Sequence, residues 1–119
     1  RLYQLYQMAD IGVMPSLHEQ CSYTAIEMMM FGIPLIASTT TGLKEMIREN
    51  VNGLLFEMRD EADEGATRQL QILMKELLTD PQRLAGLQQG ARSVYEEVYS
   101  LEKMADAYAR LIGLDKKNP

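Results

Sequence analysis

Two glutamates, Glu19 and Glu27, stand on either side of a short polar segment, with seven residues between them. Ser22, inside this segment, is a favoured residue for capping the start of a helix, and the three residues after it carry no acidic side chain. The free N–H groups of such a helix start, together with the positive end of the helix dipole, attract an anion such as a diphosphate. The segment therefore predicts an anion site formed mainly by backbone amides.

The side chain of Glu27 lies four residues after Tyr23, so the two share one face of the predicted helix, a turn apart. A carboxylate at this place can accept two hydrogen bonds from a neighbouring diol, such as that of a ribose. Glu19, in the loop before the helix, is placed to accept a hydrogen bond from a sugar hydroxyl on the other side of the phosphates. A phosphate site between two carboxylates that bind hydroxyls predicts a nucleotide-sugar as the ligand.

A strand and a helix flank the polar segment. Residues 11–16 are mostly apolar and stopped by Pro15, which predicts a buried strand that ends in a loop. Residues 25–31 are mostly good helix formers and run up to a break at residues 32–34. In an open parallel sheet, strand-to-helix turns lie at the carboxyl ends of the strands, where the ligands of doubly wound folds bind.

Two further strands are predicted after this helix, at residues 34–38 and 53–56, the second introduced by a turn at residues 50–52. Between them, residues 39–42 predict a polar turn and residues 43–49 a short helix. The threonines of the turn either cap this helix or contact a ligand. The alternation of strands and helices predicts an α/β fold with a partial Rossmann-like parallel sheet of about three strands.

The chain from residue 58 onward is predicted to be helical. Acidic residues at 60–64 suggest either a metal site or a helix start that favours negative charge, and the second is preferred because the ligand spacing is irregular. Asp80 followed by Pro81 predicts a helix start, and Ser100 begins the last helix, which ends at Gly113. The apolar faces predicted for these two helices comprise Leu84, Leu87, Ala91, Val94 and Val98 in the first, and Leu101, Met104, Tyr108 and Leu111 in the second.

Composition and charge limit the classes of function. The 119 residues form one domain at most, with 46% hydrophobic and 24% charged residues, as in ordinary globular proteins. A net charge of −5 argues against a nucleic-acid or acidic-membrane partner, which needs a basic face. The longest apolar run, residues 28–37, is ten residues long, short of the ~20 needed to span a bilayer. The single cysteine suits a reducing compartment, so we expect a cytoplasmic protein, with the inner face of the membrane as the alternative location.

His18 and Cys21 lie beside the predicted anion site. A lone loop histidine is either an exposed polar residue or a catalytic group, and the first is the more common case. Cys21 is either a small filler in a tight turn or a reactive thiol at a helix start. The two together supply too few ligands for zinc, and we expect neither a metal nor a cofactor.

A set of motifs around the two glutamates resembles one family. The set comprises Asp-x-x-Val-x-Pro-Ser, two glutamates with seven residues between them, Gly-x-Pro-hydrophobic-Ile-Ala, Thr-Gly-Leu-Lys-Glu and Asn-Gly-Leu-Leu-Phe. These motifs stand at residues 10–16, 19–27, 32–37, 41–45 and 52–56. Together they resemble the retaining glycosyltransferases of the GT-B fold, and the likeness is weaker over the helical remainder of the chain.

This resemblance implies a role for each residue of the polar segment. Glu27 would hold the ribose hydroxyls, and Glu19, the expected catalytic residue, a hydroxyl of the donor sugar. The backbone that would hold the diphosphate and the sugar belongs to Gln20, Cys21, Ser22, Tyr23 and Thr24. The family usually has Pro-Phe-Gly or Pro-Cys-Gly after the first glutamate, so the serine at position 22 must keep a negative φ or tolerate strain.

For the whole chain, the resemblance implies the C-terminal portion of the nucleotide-sugar-binding domain of a larger two-domain enzyme, covering residues 1–119. The enzyme would transfer a sugar from a nucleotide diphosphate donor to an acceptor sugar or glycan, with retention of configuration, and the acceptor would bind mainly to the other domain. Alone, the chain is expected to be inactive and to self-associate through an exposed apolar edge. Two alternatives stay open: a noncatalytic module whose C-terminal helices bind a partner, and an epimerase or sugar phosphorylase on the same fold.

Overall fold

The computed structural model describes residues 2–15, 17, 22–39 and 41–113. Short strands and helices alternate along the first half of these residues, and the second half is helical. In chain order the elements are α1 (Leu2–Met8), β1 (Gly12–Met14), α2 (Tyr23–Met30), β2 (Leu35–Ser38), α3 (Thr41–Met46), β3 (Gly53–Phe56), α4 (Glu64–Leu78), α5 (Pro81–Val94), a π-helical segment (Tyr95–Tyr99) and α6 (Leu101–Leu111).

The strands form one parallel sheet in the order β1-β2-β3. Ile36 in the central strand pairs with Val13 on one side and with Leu54 on the other. The predicted α/β fold with a partial parallel sheet is therefore confirmed. Because all strands run in one direction, the helices that follow them begin at the same edge of the sheet.

The central strand β2 divides the core into two layers, and all four of its residues are buried. Leu35 and Ala37 belong to one buried cluster, together with side chains of α2, α3 and the end of α5. Ile36 belongs to the other cluster, which includes side chains of α4 and Leu87 of α5. Neighbouring residues of a strand point to opposite faces, so β2 has helices packed on both sides, as parallel sheets require.

Some element ends in the first half differ from the sequence-based bounds. β1 is three residues long (Gly12–Met14), shorter than the predicted strand. α2 begins at Tyr23, directly after Ser22, as predicted from the capping residue, and ends at Met30, one residue before the predicted end. α3 begins at Thr41, two residues earlier than predicted, and ends at Met46. These shifts of a few residues are of the size expected when element ends are read from local patterns.

The predicted helix start at residue 58 is wrong, because α4 begins at Glu64. The Oδ2 atom of Asp63 accepts a hydrogen bond from the backbone N–H of Arg59 at 2.9 Å, which closes an irregular turn before the helix. The Oδ1 atom accepts from the N–H of Ala66 at 3.1 Å and caps α4. The acidic cluster thus serves a helix start, as preferred from the sequence, and the described part of the chain contains no group of three or more potential ligands that could hold a metal ion.

Helix α5 begins as predicted, with Asp80 as N-cap and Pro81 as its first residue. After Val94 the chain continues as the π-helical segment Tyr95–Tyr99, which was not predicted from the sequence. The wider π turn takes the following side chains out of the register of an α-helix. The assignment of Val98 to the buried face of α5 is therefore wrong, and its side chain is 39% exposed.

Helix α6 begins at the predicted N-cap, Ser100, whose Oγ accepts from the backbone N–H of Lys103 at 3.2 Å. It ends before Gly113, which has a positive φ of 80°. The predicted apolar stripe is present, but no residue of α6 is buried, and Leu101 and Leu111 are 82% and 80% exposed. Among the described helices, none combines the length and the apolar character needed to span a bilayer.

Candidate functional site

The start of α2 is built around Ser22, which is only 3% exposed. Its Oγ accepts a hydrogen bond from the backbone N–H of Ala25 at 3.0 Å, the interaction of an N-cap residue. The backbone of Ser22 is extended, with φ −99° and ψ 111°. Of the two alternatives for this position, a negative φ or strain, the structure has the first, and a side chain is accommodated there without backbone strain.

Two amides at this helix start point away from the helix's own carbonyls. Within the described residues, the N–H groups of Tyr23 and Thr24 have no acceptor, whereas the N–H of Ala25 is occupied by the cap. The first turn carries no acidic residue. Because the partial positive charge of a helix is concentrated on its first N–H groups, these two amides form the anion-attracting end of α2.

Glu27 lies in α2, one turn after Tyr23, and is half-buried rather than enclosed in the core. Tyr23 is 73% exposed, and Thr24 is also exposed. The carboxylate of Glu27 is thus close along the helix to the two amides, without sharing their turn. This arrangement can serve two groups of one ligand, an anionic group at the helix start and a hydroxyl-bearing group a turn further on.

Four residues of the sequence-based hypothesis, His18, Glu19, Gln20 and Cys21, lie outside the described residues. The placement of Glu19 on the other side of the anion site therefore stays a prediction. Thr40, one of the turn threonines predicted either to cap α3 or to contact a ligand, also lies outside the described residues.

Two serines near this site contact Met14, the last residue of β1. Ser38, at the end of β2, donates a hydrogen bond from its Oγ to the carbonyl of Met14 at 3.3 Å. The Oγ of Ser22 donates to the Sδ atom of the same methionine at 3.9 Å. Ser38 is 1% exposed. A polar residue at the end of a predicted buried strand needs a hydrogen-bond partner, and this pattern could have identified Ser38 from the sequence as a residue that contacts a neighbouring strand.

A sequence profile of the family described as "Glycosyl transferases group 1" matches residues 1–75 of this chain. This match covers more than half of the chain and includes both glutamates. The chain belongs to the group 1 glycosyltransferases. The match also includes β1, α2, β2, α3 and β3, so the family assignment rests on the region of the chain that forms the sheet and the start of α2.

Relatives of this group 1 chain are longer. It is 34% identical over 112 residues to the D-inositol 3-phosphate glycosyltransferase of Geodermatophilus obscurus, covering 90% of this chain and 25% of that protein. It is 29% identical over 119 residues to the putative glycosyltransferase EpsD of Bacillus subtilis, covering 98% of this chain and 30% of that protein. The chain therefore spans between a quarter and a third of the length of these two relatives.

Solved structures confirm the GT-B glycosyltransferase fold of the group 1 chain. Anabaena HepE, in complex with UDP, superposes with a TM-score of 0.82 at 21% identity, over 92% of this chain and 29% of that one. Sucrose-phosphate synthase of Thermosynechococcus elongatus gives a TM-score of 0.77 at 27% identity, over 96% and 28% of the two chains. The C-terminal domain of the group 1 protein LpcC from Francisella tularensis gives 0.73 at 22% identity, over 85% of this chain and 49% of that domain.

Proposed function

We propose that this group 1 chain forms the donor-binding region of a glycosyltransferase that uses a nucleotide diphosphate-sugar. The observation that supports the proposal is the acid-free start of α2, where the amides of Tyr23 and Thr24 have no acceptor among the described residues and Glu27 follows one turn later. HepE, which has the same fold, was solved in complexes with UDP and with UDP-glucose.

In this proposal the diphosphate binds the amides at the start of α2. Glu27 accepts hydrogen bonds from the ribose hydroxyls, and Glu19 from a hydroxyl of the donor sugar, while the backbone of Gln20 and Cys21 lines the sugar. The net charge of −5 repels an anionic donor at long range, so local amides must supply the attraction.

The reaction proposed is transfer of the sugar to an acceptor hydroxyl with retention of configuration. The bond between the anomeric carbon and the diphosphate oxygen breaks, and the acceptor oxygen forms the new bond to that carbon. The proton of the acceptor hydroxyl passes to the departing diphosphate. The protein positions the donor and stabilises the charge of the departing diphosphate. We propose that the acceptor, a sugar or glycan, binds mainly to a second domain, that this chain alone is inactive and that the enzyme works in the cytoplasm without a cofactor.

Titration of the full-length protein with UDP-sugars and GDP-sugars tests the proposal. The Glu27→Gln variant should raise the donor Kd by about tenfold or more, because hydrogen bonds to a charged acceptor are worth more than neutral ones. Glu27→Ala should abolish measurable binding. Glu102→Gln in α6 is the matched control, since it removes one exposed carboxylate far along the chain and should leave the donor Kd unchanged.

Two results of this titration would contradict the proposal. If the Glu27→Ala variant binds the donor as tightly as the parent, the ribose role of this residue is wrong. If the parent protein binds no nucleotide diphosphate-sugar, the noncatalytic interaction module becomes the better account of the fold.

A further inference from the structure

Asn52, in the turn before β3, is the most completely buried polar side chain of the described residues, with 0% exposure. Its Oδ1 accepts a hydrogen bond from the backbone N–H of Arg48 at 2.7 Å. Its Nδ2 donates to the carbonyl of Met46 at 3.1 Å and lies 3.3 Å from the Sδ atom of Met29. Burying an amide is unfavourable unless it is hydrogen-bonded, and this one is satisfied on both its oxygen and its nitrogen.

The turn that carries Asn52 is shaped to bring its side chain inward. Asn50 has a positive φ of 66°, a conformation that asparagine tolerates better than most residues. The backbone N–H groups of Val51 and Asn52 both donate to the carbonyl of Arg48, at 2.8 and 3.2 Å. The backbone carbonyl of Asn52 accepts from the N–H of Leu35, which fixes the turn to the start of β2.

The partners of this amide lie at the far ends of two helices. Met29 is the last but one residue of α2, and Met46 is the last residue of α3. Both helices follow parallel strands, so both begin at the carboxyl edge of the sheet, where the anion-attracting end of α2 lies. Asn52 thus connects the two helices at the edge of the sheet opposite to the candidate site.

We propose that Asn52 is a positioning residue for the donor site, because its amide couples the distal ends of α2 and α3 and so fixes where their N-terminal ends lie. The inference rests on the proposed function of the α2 start. An eight-residue helix is roughly 12 Å long and moves nearly as a rigid body, so a displacement at Met29 is transmitted to Tyr23 and Thr24.

Asn52 could position both helices or only satisfy the end of α3, and the contact between its Nδ2 and the Sδ of Met29 distinguishes these two roles. If Asn52 served only to satisfy the end of α3, its bonds to Arg48 and Met46 would suffice. The contact to Met29, which is itself 0% exposed, adds α2 to the same amide. Replacing Met29 by leucine keeps the apolar volume and removes the sulfur, so Met29→Leu isolates the coupling.

The experiment uses the full-length protein and two readouts, amide hydrogen exchange and the Kd for UDP. Asn52→Ala should speed exchange in both α2 and α3 by about tenfold, and Met29→Leu should speed exchange in α2 alone by a few-fold. The Kd for UDP should rise roughly fivefold to tenfold in Asn52→Ala and about twofold to threefold in Met29→Leu. Leu77→Ala, which removes a buried side chain of α4 in the other layer of the core, is the control for general destabilisation.

Three results would overturn the proposal. The first is that Asn52→Ala speeds amide exchange in α3 alone. The second is that Met29→Leu leaves amide exchange in α2 unchanged. The third is that Leu77→Ala raises the Kd for UDP as much as Asn52→Ala does when both variants lose the same Tm. The exchange measurement needs no donor, so a parent protein that fails to bind UDP would contradict the proposed function while the coupling is still tested. If Asn52→Ala does not fold, amide exchange and the Kd for UDP in Met29→Leu test the proposal on their own.

Discussion

Ser22 occupies a position where the resembling glycosyltransferases usually carry glycine. Its side chain is buried and caps α2, while its extended backbone requires no positive φ. A glycine offers a close approach to a ligand but provides no side-chain cap. In this chain, the helix start is thus stabilised by a serine at the cost of a Cβ atom near the anion-attracting amides.

Substitutions of Ser22 separate these two effects. Ser22→Ala should lower the free energy of unfolding by about 1 kcal/mol, because the N–H of Ala25 loses its acceptor. Ser22→Gly should cost only a few tenths of a kcal/mol, because a glycine cap leaves the amides open to water. Chemical denaturation of the two variants and the parent measures the difference. An alanine variant as stable as the parent would contradict the capping role.

The contacts that sequence reasoning identified at residue scale are the local ones. Ser22, Asp80 and Ser100 were predicted as helix caps, because a cap is defined by residues three or four positions apart. The contact of Ser38 with Met14 joins residues 24 positions apart, and that of Asn52 with Met29 joins residues 23 positions apart. Such pairs depend on how strands and helices pack, which one sequence does not specify.

At the scale of elements, α4 shows how a carboxylate can organise a helix start. The backbone N–H of Arg59 donates to Asp63 and lowers the pKa of this carboxyl below its usual value. The hydrogen bond from the N–H of Ala66 lowers it further, and the nearby guanidinium of Arg59 adds a smaller contribution. Since these interactions favour the charged form, Asp63 binds its proton less readily in the folded chain than in the unfolded chain.

This pKa shift predicts a pH dependence of stability. The stabilisation from Asp63 should be complete above the ordinary carboxyl pKa of about 4, and it should be lost as the pH falls through the lower pKa of the folded state. Asp63→Asn, which keeps a capping oxygen but does not titrate there, should show a shallower loss of Tm as the pH falls below about 4. Thermal unfolding of both proteins across this range checks the prediction. Parallel pH profiles would contradict it.

Element type was predicted more accurately than element ends. The three strands were recognised from short apolar runs bounded by proline, glycine and asparagine, and β3 has the predicted bounds. The late start of α4 was missed because an irregular turn, closed by Asp63 onto Arg59, replaces the first predicted helical residues. The π-helical segment was missed because its residues fit an α-helical pattern equally well.

The whole molecule is elongated, with principal extents of 56, 30 and 28 Å. The sheet and helices α2 to α5 form its two-layered core, whereas α6 contributes no buried side chain. The chain matches about half of the LpcC C-terminal domain and a quarter to a third of its longer relatives. The described residues leave the apolar stripe of α6 uncovered. This stripe comprises Leu101, Met104, Tyr108 and Leu111.

From the sequence, the 119-residue chain is predicted to self-associate through an exposed apolar edge where further strands of the sheet would lie. We extend this prediction to α6, which carries the most exposed large apolar side chains of the described residues. The strand residues are buried or half-buried, while Leu101 and Leu111 are 82% and 80% exposed. We expect sedimentation velocity to show a concentration-dependent increase in mass. The double variant Leu101→Glu and Leu111→Glu should shift the chain toward monomer, with Tm changed little, because surface substitutions usually alter stability by about 0.5 kcal/mol or less.

The matched control for this prediction is a second pair of exposed apolar residues, on α1. Leu5 and Met8 are 60% and 78% exposed, so Leu5→Glu with Met8→Glu adds the same charge at a different surface. If self-association requires the α6 stripe, the double variant on α1 should self-associate as the parent chain does. A parent chain that sediments as a monomer at all concentrations would contradict self-association, and equal dissociation by both pairs would show that charge repulsion, rather than loss of the α6 contact, separates the chains.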